Sequence, residues 1–323
     1  MTQAVGAHSS YDEPIATGGN REDLSFILWD VSPTETPGIT NGKKMKSTAT
    51  SHDWLTDVLE DPADNAHVEG DDASPADAAA RSRLSNYTQI FKKHAVVTGT
   101  QEKVLKGGGI KSEMAYQVAR RMKAMKRDCE RAVFGVSNAK VAGDDTTARE
   151  MGSFVTYMTD TSWDSADAGG TPPTGNGVDT GTAGVATALD EDILKGGLGE
   201  LWVNSGGNEN ILALCGKHVR GVISTFTASS TRYVTTDDKK LVASIDVYDG
   251  DFHTVTVTPD RFSEANKLFL LDTEYYGLAD LRPASSKDLA INGDSLRKEI
   301  VWETTLEVCN PDAHFVIDGL ATS

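Results

Sequence analysis

The 323 residues predict an α+β chain in which two mixed α/β subdomains carry two long extensions outside them. Three patterns lead there. A helical stripe of apolar side chains runs from Met114 to Val136. Helix and strand signals alternate between residues 189 and 283, and a strand, an acidic tip and a second strand fill residues 46–98.

Residues 1–23 have no periodic apolar pattern, so they are expected to become ordered only against a neighbouring chain. The apolar stretch Leu24–Trp29 follows, and then the run from Ser32 to Gly38. Its Pro33 and Pro37 exclude a regular helix or a central strand there. An extended connector is expected over residues 1–45.

Residues 46–59 read as one strand and 84–98 as another, the latter with Tyr87, Ile90, Phe91, Val96 and Val97 among polar residues. Between Trp54 and Ala80 there are eight carboxylates and no Lys or Arg: Asp57, Glu60, Asp61, Asp64, Glu69, Asp71, Asp72 and Asp77. A two-stranded arm with an acidic, irregular tip fits this pattern.

Met114, Val118, Met122, Met125, Cys129, Val133 and Val136 then step by threes and fours, averaging 3.67 residues. Ser112 is a natural N-cap, and Gly135 with Ser137-Asn138 a stop. At 1.5 Å per residue, a helix over 112–136 is about 37 Å long. Its other face is basic, with Arg120, Arg121, Lys123, Lys126, Arg127 and Arg131.

Gly, Thr, Asp and Pro dominate 141–188, which reads as a long loop. Beyond it the expected elements are a helix over 190–202, a strand over 211–215 and a helix over 217–226. Strands follow at 241–248, 252–258, 267–272, 299–308 and 314–317.

Bulk properties narrow the function. A net charge of −17 argues against wrapping nucleic acid, which needs clustered Lys and Arg. Cys129, Cys215 and Cys309 lie far apart without a C-x-x-C pair, so reduced, buried thiols are expected rather than a disulfide framework or a zinc ribbon. No run approaches the ~18 apolar residues of a membrane span, and no signal-peptide pattern opens the chain.

Catalytic signatures are absent: no G-x-S-x-G, H-E-x-x-H, G-x-G-x-x-G or Walker A sequence occurs. The glycine-rich Lys106–Lys111 segment lacks the G-K-[ST] ending, so it reads as a hinge before the helix rather than a phosphate cradle. His52-Asp53 and His67-Val68-Glu69 lack ligand spacing and are expected at surfaces or subunit contacts. Asp249-Gly250-Asp251 reads as a hairpin turn. No catalytic residue, metal site or cofactor is expected.

Eight short motifs remain. They are Ser32–Pro37, His52–Asp57, Asn65–Asp71, Asn86-Tyr-Thr-Gln-Ile90, Thr98–Gln101, Asp128-Cys-Glu-Arg-Ala132, Gly293–Ser295 and Trp302–Val308. In this order they resemble the major head proteins of tailed bacteriophages with the Hong Kong 97-type fold, and within them the SU-ten-like branch. The resemblance implies an N-terminal arm over 1–45 and an E-loop hairpin over 46–98. A peripheral domain over 99–188 would carry the spine helix, 189–283 would be the axial domain, and 284–323 would return strands to the peripheral domain. It further implies a non-enzymatic shell subunit, self-assembling into hexamers and pentamers of an icosahedral head around double-stranded DNA.

The implied partners are other copies, a portal protein and a scaffold or cement protein. DNA would be met only non-specifically and no membrane is involved. No scaffold domain is expected to be fused in front. Asp57, Glu60, Asp61, Asp64, Glu69, Asp71 and Asp72 are the expected intersubunit contacts of the basic helix face; the competing reading turns that face inward, toward packaged DNA. The alternative is a soluble α/β hydrolase-like or binding protein centred on 189–283.

Overall fold

A computed structural model of the chain describes residues 35–59, 62, 64–72, 81–106, 109–166, 169–204, 209–226, 246–291 and 293–322. The expectations for residues 1–34, for Glu60, Asp61 and Asp77, and for the start of the 241–248 strand lie outside the described residues.

In chain order the elements are α1 (Pro37–Asn41), β1 (Lys43–Lys46), β2 (Ser51–Thr56), β3 (Ser82–Tyr87), β4 (Gln89–Thr98), α2 (Gly99–Lys103) and α3 (Glu113–Glu130). Then come β5 (Trp163–Ser165), α4 (Glu191–Asn204), β6 (Asn210–Cys215), α5 (Lys217–Ile223), β7 (Val247–Asp249) and β8 (Thr254–Pro259). The chain finishes with β9 (Leu268–Leu271), β10 (Tyr276–Asp288), β11 (Ser295–Val308) and β12 (His314–Asp318).

The Ser112 hydroxyl accepts from the Ala115 amide at 3.2 Å and so caps α3 as the sequence predicts. The helical run then ends in a widened π turn over Arg131–Gly135 before Val136 becomes extended. Packing fixes that end, because a Cβ on Gly135 would lie 2.0 Å from the Phe262 carbonyl oxygen.

Three sheets organise the chain. β1, β10, β11 and β4 form one, in that order; β5, β12, β9, β6, β8 and β7 form the second; β2 and β3 pair alone. α3 lies on the first sheet. The inward face of β4 explains why: Phe91, Ala95 and Val97 are buried and Lys93 half-buried, at alternate positions, while Lys92, His94 and Val96 are exposed. This corrects the expectation that all of 46–98 stands outside the core. The chain changes direction at Thr88, so of the described strands only β2 and β3 form the separate ribbon.

Two further differences concern the chain's later half. β10 begins at Tyr276, within the stretch expected to be axial, because its pairing with β11 runs from Tyr276↔Val308 to Asp288↔Lys298. β12, expected to return to the peripheral sheet, instead pairs with β5 and β9 in the six-stranded sheet. All five of its residues are buried, which suits an interior strand.

The six-stranded sheet is covered on both faces, which is why β6 and β9 read as unbroken apolar runs. Ile211, Ala213 and Cys215 face α4 and α5 with Leu268, Leu270, Phe315 and Ile317. Leu212, Leu214, Phe269 and Leu271 face the other way, into a core shared with the end of α3 and with β11. Five residues of the presumed loop, Met151, Phe154, Val155, Tyr157 and Met158, fill that shared core. The predicted hairpin turn at Asp249-Gly250-Asp251 does join β7 and β8, with the Gly250 amide donating to the His253 carbonyl at 3.0 Å.

Candidate assembly interface

The β2–β3 ribbon leaves the core at a junction built from side chains that bond to backbone. Asn86, fully buried, donates to the Leu306 carbonyl at 2.9 Å and accepts from the Gly152 amide at 2.8 Å. Tyr157 donates its hydroxyl to the Ser85 carbonyl at 3.0 Å, and Lys140 donates to the same oxygen at 2.8 Å. The Gln89 side chain accepts from the Met151 amide at 3.2 Å.

Glu303, on β11, ties the junction to both neighbouring strands. One carboxylate oxygen accepts from Arg149 at 2.6 Å and from the Thr88 hydroxyl at 2.9 Å; the other accepts from Arg282 at 2.6 Å. A side chain that satisfies two or three groups at once fixes the direction in which the ribbon leaves. The motifs Asn86–Ile90 and Trp302–Val308, opaque as isolated words, are the two halves of this junction.

The base of the ribbon packs on the core through Trp54 and Leu84, while its outer part is bare. Leu55, Val58, Leu59 and Val68 are exposed, Leu59 to 93%. Apart from His52, which reaches Glu307, its ion pairs are local: Asp57 accepts from Arg81 at 3.3 Å, Asp53 meets Arg83, and His67 lies 3.1 Å from Asp71. Asp64, Glu69 and Asp72 are exposed as well. Of the two histidine motifs, His67 lies at the surface, while His52 is half-buried 2.7 Å from Glu307. Among the described residues no group of three or more His, Cys, Asp or Glu side chains is placed to hold a metal ion.

On α3, Arg120, Arg121, Lys123, Lys126 and Arg131 are exposed and Arg127 half-buried, opposite the buried Met114, Met125 and Cys129. Arg127 lies over the Phe262 ring at 5.0 Å and Arg120 over Tyr116 at 5.8 Å, which holds their guanidinium planes. The helix N-terminus is already occupied. A Glu102 carboxylate oxygen accepts from the Glu113 amide at 2.9 Å and the Met114 amide at 3.1 Å, so these amides are not open to a phosphate. The Ser112 hydroxyl, then the Met114 and Glu113 amides, hold the Glu102 carboxyl below its ordinary range against a smaller opposing effect of burial.

The far end of α3 holds α1, and sequence reasoning missed this anchor. Glu130 is fully buried; its two oxygens accept from the Gly38 amide at 2.6 Å and the Ile39 amide at 2.8 Å. The Tyr276 hydroxyl donates to the Gly38 carbonyl at 2.7 Å. Gly38 has no room for a side chain: a Cβ would sit 2.4 Å from the Phe134 ring. Burial pushes the Glu130 carboxyl up to about 7, against the two amides, which favour the charged form. Burial raises all three thiols, Cys129 far, Cys215 to about 12 and Cys309 to about 11, which disfavours the reactive thiolate.

The fold is the Hong Kong 97 type, as solved shells show. The chain is similar to the capsid subunit of cyanophage A-1(L), with 13% identity, a TM-score of 0.65, and 96% of this chain and 99% of that one covered. It is also similar to the capsid of a native GTA particle, at 13% identity and a TM-score of 0.62, over 99% of this chain and 100% of that one. What these likenesses establish is the fold that capsid subunits share.

The chain belongs to the SU10 major capsid protein family, whose model matches residues 9–321. It is 32% identical to the major capsid protein of Escherichia phage Phieco32 over 139 residues, which are 42% of this chain and 38% of that protein. As a major capsid protein it is a component of the phage head, and the hydrolase-like alternative has no support.

Proposed function

We propose that this chain assembles with copies of itself into hexamers and pentamers of an icosahedral head that encloses double-stranded DNA. The observation that carries the reading is the β2–β3 ribbon. Two paired strands alone are marginally stable in water; this ribbon rests on its own core only at its base, through Trp54 and Leu84, and exposes Leu55 on β2 and Val58, Leu59 and Val68 beyond it. Burial on a neighbour supplies the missing third layer.

In this reading residues 1–45 form the N-terminal arm and the ribbon within 46–98 the E-loop. α3 is the spine of the peripheral domain, and the six-stranded sheet is the axial domain. Assembly takes place in the host cytoplasm. A portal protein completes the head, a scaffold or cement protein assists it, and DNA is held without sequence preference.

The ribbon's carboxylates, Asp57, Glu60, Asp61, Asp64, Glu69, Asp71 and Asp72, meet the Arg120, Arg121, Lys123, Lys126, Arg127 and Arg131 face of a neighbouring α3. Each exposed pair stabilises by only about 0.2–1 kcal/mol, but repetition over the lattice and repulsion of like-signed registers make the contact selective. Shell yield is therefore expected to fall as salt shortens the screening length toward ~3 Å at 1 M. Reversing Arg120, Arg121 and Lys126 to Glu should lower yield at low salt while leaving the subunit folded. Equal yields of empty shells at low and high salt, with no intersubunit Arg/Lys to Asp/Glu distance within about 4 Å, would sink the contact.

A further inference from the structure

One flank of α3 carries two grooves. Glu130, Lys126, Met122, Ala119 and Ala115 step by fours and a three, so they form a single line along the helix. At the C-terminal end of that line Glu130 holds Gly38 and Ile39. One turn back, Lys126 and Lys123 line a groove with Glu35 and Thr36, where the described chain begins. Further along, a second groove of about 500 Å³ opens between α3 and the outer ends of β10 and β11.

The second groove is largely apolar. Met114, Val118, Met122 and Leu296 line it together with Ala115 and Ala119. Leu296 is 42% exposed, and both alanines are exposed as well. With only methyl side chains at these two positions, the flank is low enough for a chain to lie along it.

The occupant follows from the residues that precede Glu35. Their longest apolar stretch is Leu24–Trp29, interrupted only by Ser25, and Asp30 comes directly after it. Trp29 is six residues from Glu35 and Phe26 nine, which allows a reach of up to about 20 and 30 Å. On α3 the line from Lys123 to Ala115 covers eight residues, about 12 Å at 1.5 Å each. The stretch can therefore reach the groove within its own chain, and Asp30 then falls on the side of Lys126.

We infer that Leu24–Trp29 packs into this groove on α3 of its own chain. Five apolar side chains and the groove's own apolar lining leave water together. The tether through α1 makes the docking intramolecular, so a modest contact is enough to hold it closed. Residues 1–23 then leave the subunit beside the N-terminal end of α3 rather than beside Glu130, and from there they remain available to a neighbour. The inference concerns the single subunit and goes beyond the shell reading, which does not depend on it.

The experiment uses the full chain. Chains carrying Ser25→Cys and Ala119→Cys together are oxidised and digested, and the joined peptides are measured by mass spectrometry against the parent. A bond within one chain is expected, because docking brings the two Cα atoms within the ~7 Å that a disulfide spans. The control pair, Ser25→Cys with Arg120→Cys, puts the second thiol about 100° further round the helix. It should join about tenfold less, since a thiol pointing away cannot be bridged. A second measurement needs no added thiol. Ala119→Arg, at an exposed position, fills the groove. Chymotryptic cleavage at Phe26, Leu28 and Trp29 should then run about tenfold faster than in the parent, because the open form becomes the populated one. Cleavage at the exposed Leu59 should keep the parent's rate.

Equal joining at both helix positions overturns the inference, as does cleavage equally fast in parent and Ala119→Arg. Mixing Ser25→Cys chains with Ala119→Cys chains tests the other occupant. A bond that forms only between chains gives the groove to a second copy and overturns the inference too. Should Ala119→Arg fail to fold, the cysteine pairs decide alone.

Discussion

Replacing Glu303 with Ala is expected to destabilise the subunit by about 3 kcal/mol, the lower end of the cost of breaking a buried charge network. Glu303 is 3% exposed and accepts from Arg149, Arg282 and the Thr88 hydroxyl. Its removal leaves Arg149, itself only 25% exposed as a side chain, without its anion. Arg282 is 52% exposed and recovers water, which keeps the expected loss below the upper end of the range for buried pairs. Glu303→Gln keeps the volume and one acceptor but turns an amide toward a guanidinium, so it should fall between parent and Ala. The denaturant midpoint measures both. The effect is also directional: amide exchange in β2 and β3 should accelerate more than in β9 or β12, because the junction holds the ribbon and not the far sheet. An Ala variant within 0.5 kcal/mol of the parent, the scatter of neutral surface changes, would show that the carboxylate is not what fixes the junction.

The junction also marks how far the sequence could be read. Elements whose burial follows a period were legible: α3 from its stripe of threes and fours, β6 and β9 from apolar runs, the β7–β8 turn from Asp-Gly-Asp. The acidic ribbon and the basic helix face were legible as charge patterns. What escaped depends on contacts far apart in the chain. The break at Thr88 between β3 and β4 exists because Asn86 finds Leu306 and Gly152, 220 and 66 residues away. The Gly- and Thr-rich stretch before residue 188 hides a core segment, Met151–Met158, whose aromatic and apolar residues share no period. The Phe-Val-Thr-Tyr-Met run was its one available signal. Glu130 gave none at all, since a carboxylate on a basic helix reads as one more surface charge until Gly38 and Ile39 are brought to it.

Glu130 should make subunit stability fall as pH rises. Its carboxyl titrates at about 7 in the folded chain against 4.5 ordinarily, chiefly because it is buried. Between those values the folded chain keeps a proton that the unfolded chain has released. The contribution is therefore complete below about 4.5, decreases through the window and is gone above about 7. At 1.36 kcal/mol per unit the full change is of the order of 3 kcal/mol.

His314 acts in the opposite sense. Its Nδ1 accepts from the Asp272 amide at 3.1 Å, its Nε2 has no hydrogen-bond partner among the described residues, and the Phe154 and Tyr276 rings stand edge-on around it. Burial pushes it down to about 4, so the folded chain favours the neutral ring. Its contribution is complete above about 6.5 and is lost as pH falls toward 4. Over most of the interval from 4.5 to 6.5 the two slopes cancel, and the parent's stability should change little from this pair. Glu130→Gln copies the protonated carboxyl in shape and removes one slope. The variant's stability should then climb from pH 4 to 6.5, and its difference from the parent should shift by about 3 kcal/mol in the variant's favour between pH 4.5 and 7. Taking that difference removes every other titrating group common to both chains. A difference that stays constant across the window would mean that Glu130 is charged in the folded chain at all these pH values, held so by the Gly38 and Ile39 amides against the pull of burial.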